Sequence, residues 1–171
     1  MTELALTAYR FVVTLDPVDA YVSSAQSLLL SLLGAGSSKF TGGAFQEVKG
    51  LGADLEVMAY AEGGVNNYVH QLPVRHSWTR ISLRRGLVRD PGLWSWYSAS
   101  LNEPLGARRD GSIILLTPSG ERAMAWNFHA GIAVKWQGPE LNAMQSAVAI
   151  ETLEIAHHGI TQVPLSPPAP E

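Results

Sequence analysis

The chain has 171 residues, a length that fits one domain. Only 16% of the residues are charged against 46% hydrophobic, below the roughly 25% charge usual for a soluble domain, which suggests surface buried against partners. A net charge of -3 gives no general attraction to nucleic acid or to an anionic membrane, and the absence of cysteine removes disulfides, thiolate chemistry and Cys-based metal sites.

The N-terminus has no basic segment followed by an apolar core and a small-residue cleavage site, so synthesis in the cytoplasm is expected. Leu6 to Leu15 reads as a first strand, with Tyr9, Phe11 and Val13 on one face, closed by Asp16-Pro17. Residues 17–42 read as an insertion. Its centre places Ala25, Leu28, Leu29 and Leu32 at helical spacing and ends in a flexible Gly/Ser segment. Such a helix either packs on its own barrel or forms an arm that docks elsewhere, with Leu28, Leu29 and Leu32 as its contact residues. The apolar run around it is far shorter than the roughly 20 residues that span a bilayer.

Phe45 to Lys49 and Ala53 to Tyr60 predict two strands separated by Gly50-Leu51-Gly52. In the second, Asp54 and Glu56 share one face and Leu55, Val57 and Ala59 the other, a half-buried pattern. The stretch from Ala61 to Ser77 reads as an extended loop. Trp78 to Gly86 predicts a strand with Arg80 and Arg84 opposite Ile81 and Leu83. Were these two strands to pair, acids and arginines would face each other.

Asp90 as N-cap and Pro91 at the first helical position announce a helix, with Trp94, Tyr97 and Leu101 as its apolar stripe. Trp96 falls off that stripe and is a candidate for an intersubunit contact. Arg108 to Gly111 reads as a turn, and Ile113 to Leu116 with Thr117-Pro118-Ser119-Gly120 as a hairpin into the next strand. That strand, Arg122 to Trp136, alternates without a slip and would run on the order of 45 Å, too long for one small domain unless it bends or is shared. Ala130-Gly131 is the expected bend. In Val148 to Gly159 the apolar phase switches near Glu151-Thr152, a pattern open to a helix, to a strand with a bulge, or to a strand covered on both faces. Past residue 160 the chain is rich in proline and is expected to be a disordered or extended tail, 161–171.

No catalytic constellation is present. The five histidines lack metal-binding spacing, Gly34 to Lys39 lacks the ending of a phosphate loop, and there is no Gly-x-Ser-x-Gly elbow. No cofactor, metal or enzymatic activity is expected.

Several motifs occur in one order: Phe45-Gln46-Glu47-Val48-Lys49-Gly50-Leu51 with Glu56; Ile81-Ser82-Leu83-Arg84-Arg85-Gly86 with Asp90-Pro91-Gly92-Leu93-Trp94-Ser95-Trp96; Trp126-Asn127-Phe128; Lys135-Trp136-Gln137-Gly138-Pro139-Glu140-Leu141-Asn142; and Val148 to Gly159. In this order, across most of residues 44–160, the chain resembles the tail-tube proteins of contractile phage tails and phage-tail-like contractile injection systems. The insertion at 17–42 departs from that pattern.

The resemblance implies a single tail-tube domain over residues 1–160, with Val148 to Gly159 as a strand. Its fold would be mainly β, with two packed antiparallel sheets forming a partly closed barrel or sandwich, one flanking helix and a short helical insertion. It implies hexameric rings stacked into a hollow tube, with sheath and baseplate proteins as partners and effector cargo in the lumen. Trp136, Pro139, Leu141 and Asn142 become candidate subunit contacts, and Asp54, Glu56, Arg80 and Arg84 candidate lumen residues. Two alternatives stand beside this reading: a specialised ring joining tube to baseplate, and a monomeric barrel binding a small apolar ligand.

Overall fold

The computed structural model describes residues 10–15, 45–64, 67–103, 107–144 and 146–164. The expected helix in 17–42, with Leu28, Leu29 and Leu32, lies outside them, as do the start of the first strand and the end of the tail. The described residues form, in order, β1 (Phe11–Leu15), β2 (Phe45–Lys49), β3 (Ala53–Tyr60), β4 (His70–Trp78), β5 (Ile81–Gly86), α1 (Gly92–Asn102), β6 (Arg109–Leu116), β7 (Arg122–Gln137), β8 (Ile150–Ala156) and β9 (Gly159–Pro164). Among the described residues the architecture is mainly β, with antiparallel sheets and one helix, as expected.

β7 is the spine of the molecule. Up to His129 it lies between β6 and β9; from residue 132 it pairs with β8. β8 and β9 follow β7 in one register from Met124 to Ala133, with a shift between Ala133 and Lys135 beyond it, and His158 N donates to His129 O at 2.9 Å between them. The two thus act as one long antiparallel partner that bends where β7 bends. Residues beyond 160 were expected to be tail, yet Gly159–Pro164 is a strand: Thr161, Gln162 and Val163 pair with Asn127, Trp126 and Ala125. Proline at its final position ends the ladder without breaking it.

The bend falls at Ala130, whose φ is +51°. A left-handed conformation costs an alanine roughly 1–2 kcal/mol, so something must hold it. Asp110 does: its Oδ1 accepts from Ala130 N at 2.7 Å, and its Oδ2 lies 3.4 Å from His129 Nδ1. The turn expected at residues 108–111 is instead the start of β6, with a register shift between Arg109 and Gly111 where it passes this bend.

The bend divides the strands into two layers. One holds β1, β6, the first half of β7 and β9; the other runs β2, β5, β8 and the second half of β7. β1 and β2 stand at opposite ends of the strand order, so the sheet does not close. The core contains Val13, Leu15, Ile113 and Phe128 from the first layer and Ile81, Leu83, Ala133, Leu153 and Ile155 from the second. Fully burying each of the larger aliphatic or aromatic side chains contributes about 1.5–3 kcal/mol.

α1 closes this core with Leu93 and Trp96, both 0% exposed, whereas Trp94 and Leu101 of the expected stripe are exposed. The buried stripe is therefore set one residue away, and Trp96 is core rather than an intersubunit contact. Its indole Nε1 donates to Ala107 O at 2.8 Å, which makes burial of a polar ring tolerable. Pro91, not Asp90, occupies the cap position, without a side-chain cap bond; the main-chain oxygen of Asp90 instead accepts from Arg85 at 3.3 Å.

Candidate functional site

Four strands of the second layer carry a two-sided pattern in their central rows. Val48, Leu83, Leu153 and Trp136 are register partners across β2, β5, β8 and β7 and face the core. The neighbouring rows are polar throughout: Lys49, Ser82, Glu154 and Lys135 in one, Glu47, Arg84, Thr152 and Gln137 in the other. Because side chains alternate along a strand, these rows form the opposite, outward face.

Charges on this face are stitched together across strands. Glu47 lies 2.7 Å from Lys49 and 3.7 Å from Arg84; Glu154 lies 2.9 Å from Lys135 and 3.8 Å from Arg80. The hydrogen bond from Lys49, with a smaller contribution from Arg84, holds the Glu47 carboxyl below its ordinary range. An open depression of about 840 Å³ lies on the face, bordered by Glu140, Leu141, Asn142 and Val148 of the loop between β7 and β8.

β3 and β4 form a separate ribbon whose exposed residues include Leu55, Val57, Met58, Tyr60, Leu72, Val74 and Trp78. The expected loop over 61–77 therefore contains a strand, and β3 pairs with it rather than with β5. Pro73 and the polar residues around it hide that strand in the sequence; Pro73 sits at a register shift between Glu56 and Val57, where a missing amide is tolerated. The half-buried pattern read in β3 gains no cover among the described residues, since the whole of β3 is exposed.

The four candidate lumen residues consequently fall on two elements. Asp54 and Glu56 stand on the ribbon, opposite Ser77 and Arg75, while Arg80 and Arg84 pair with Glu154 and Glu47 on the polar face. Among the candidate contacts, Leu141 is 85% exposed, and Asn142 Oδ1 accepts from Met144 N at 2.9 Å in the same loop with Pro139. Trp136 is engaged by its own chain. Its ring meets Trp94 edge-on at 4.8 Å, its Nε1 donates to Glu151 Oε2 at 3.2 Å, and a side chain at Gly138 would collide with it.

Glu151 is the residue that periodicity misreads. The phase switch expected near it disappears: Glu151, Leu153 and Ile155 all point inward, and β8 pairs with β5 without a shift. A carboxylate takes an apolar slot because Arg85, 1% exposed, meets it at 2.7 Å. An arginine and a glutamate on facing strands, each inside a run of alternating apolar residues, are the signal that could have found this pair. Among the described residues no group of three or more His, Asp or Glu could hold a metal ion, and no helix is long and apolar enough to cross a membrane.

The fold is shared with known assemblies. A chain in the baseplate of the anti-feeding prophage superimposes with a TM-score of 0.72 at 22% identity, covering 96% of this chain and 98% of that one. A chain of the PVC sheath-tube complex, an extracellular contractile injection system in its extended state, gives 0.71 at 20% identity, with 96% and 95% covered. A type six secretion system protein gives 0.53 at 15% identity, with 91% and 83% covered. No curated protein matches the sequence significantly. The family model for the T4-like virus tail tube protein gp19 matches residues 7–161, nearly the whole chain, and the chain belongs to that family.

Proposed function

We propose that the chain is a structural subunit of the inner tube of a phage-tail-like contractile particle. Six copies close into a ring by joining the outer edge of β2 in one copy to the free edge of β7, residues 132–137, in the next. The observation that carries this reading is the four-stranded half of the second layer. Its apolar face is covered by the chain's own first layer and helix, the two central rows of its opposite face are polar, with the pairs Gly86–Ile150 and Ile132–Ala156 flanking them, and both of its edges lack a strand partner among the described residues.

A sheet of that kind is completed by edge-to-edge closure, which removes the exposed amide rows that otherwise invite aggregation. A head-to-tail contact repeated around an axis gives a ring rather than a filament when the rotation closes. The polar rows then face the lumen, and the sandwich and helix face outward toward sheath and baseplate proteins. The apolar ribbon of β3 and β4, exposed among the described residues, packs on a neighbouring copy. The role is mechanical, with no catalytic step.

Electron microscopy of particles from the producing cell tests this reading. Many stacked rings containing the chain support the main tube subunit; one ring at the baseplate end supports the joining subunit instead. A monomer absent from every tubular assembly contradicts both and favours a ligand-binding barrel.

A further inference from the structure

The polar face has a vertical order as well as a horizontal one. The side chains of Lys49, Arg80, Lys135 and Arg84 are 70%, 64%, 59% and 48% exposed, whereas those of Glu47 and Glu154 are 36% and 27% exposed. Each carboxylate sits low between two cations, and the cationic heads stand above it. An approaching molecule therefore meets ammonium and guanidinium groups first. Four cations against two carboxylates leave a surplus of two positive charges on this face, in a chain whose overall charge is -3. Glu140, on the loop bordering the depression, is a third carboxylate, and counting it reduces the surplus to one.

We infer that this face selects acidic polypeptide cargo, an extended segment rich in Asp and Glu lying along the lumen. The inference rests on the reading of the polar face as luminal. Ser82, Thr152 and Gln137 alternate with the charges and supply neutral hydrogen-bonding groups, which suits a chain of mixed side chains and amides. Nucleic acid fits less well. A duplex carries one negative charge per about 1.7 Å and calls for uninterrupted cations, while this face interleaves carboxylates. Its two rows contain no aromatic side chain on which a single-stranded base could stack.

The test uses the full-length protein assembled into rings, with ring integrity established by electron microscopy before any probe is added. Three fluorescent probes are compared by anisotropy: a peptide of alternating Glu and Ser, its Lys and Ser counterpart, and an oligothymidylate. The Glu/Ser peptide binds, and the Lys/Ser peptide and the oligonucleotide bind much more weakly. The double variant Arg80→Gln/Arg84→Gln, both side chains being exposed, keeps its rings and loses affinity for the Glu/Ser peptide on the order of tenfold. Glu140→Gln raises that affinity. Equal binding of the two peptides, or an unchanged affinity in the double variant, overturns the inference while leaving the tube standing. Oligonucleotide binding as tight as that of the acidic peptide overturns the choice of polypeptide. Failure of the parent chain to form rings is seen at the first step and removes the lumen itself.

Discussion

Arg85 Nε and Glu151 Oε1 meet at 2.7 Å in the interior of the second layer, with the two side chains only 1% and 5% exposed. The other carboxylate oxygen accepts from the Trp136 indole, and the guanidinium also reaches Asp90 O. A buried pair of this kind adds little net stability but is costly to break, because the surviving charge stays desolvated. Glu151→Ala is expected to lower unfolding free energy by roughly 3–5 kcal/mol, whereas the double variant Arg85→Met/Glu151→Leu recovers most of it. Urea unfolding of the two variants checks this.

The bend of β7 depends on one carboxylate. Asp110→Ala leaves Ala130 N without its acceptor in a part-buried site and is expected to cost about 1–3 kcal/mol. Ala130→Gly removes the strain of a left-handed alanine and is expected to stabilise by at most about 1 kcal/mol, the gain being reduced by the greater entropy of an unfolded glycine. Thermal unfolding should therefore move in opposite directions for these two substitutions.

The ribbon separates folding from assembly. Leu55 and Val74 are 56% and 59% exposed, so Leu55→Asp or Val74→Asp should leave the stability of the single chain within about 0.5 kcal/mol. The same substitutions should abolish stacking of rings, because they place a charge in the surface proposed to pack on a neighbour. Size-exclusion chromatography and electron microscopy of the variants give the two readouts.

The polar face has a pH dependence of known sign. The Glu47 carboxyl is held below its ordinary value of 4.5, first by Lys49 and then by Arg84. Its contribution is present above the unfolded value and is lost as pH falls through the lower folded one. Because Glu47 is solvated, the loss is small and screened by salt. Lys49→Met should move the Glu47 titration, followed by NMR of the side-chain carboxyl, upward toward 4.5.

Where strands alternate cleanly, the fold was legible in the sequence. Arg122 to Gln137 announces its length and its bend, because sixteen residues cannot stay straight in a domain this size, but its alternation slips at the shift between Ala133 and Lys135, which buries Ala133 and exposes Val134. The pairing of β3 was not legible, since Pro73 and the surrounding polar residues carry no strand period, and a ribbon left exposed among the described residues has no buried face to impose one. Glu151 failed for a related reason: period-2 reading scores a glutamate as outward, and only the three-dimensional arrival of Arg85 reverses that. The helix was placed correctly but rotated, because Trp94 and Trp96 are equally apolar and only packing decides which is buried. Of the lumen candidates, Arg80 and Arg84 share the polar face, while Asp54 and Glu56 lie on a different element.

The most direct test is a cryo-electron microscopy map of the tube at side-chain resolution. The account predicts six copies per ring, β2 of one copy paired to residues 132–137 of the next, and Lys49, Arg84, Lys135 and Glu154 facing the lumen. A ring in which these residues face outward, or in which the β2 and β7 edges remain unpaired, would contradict it.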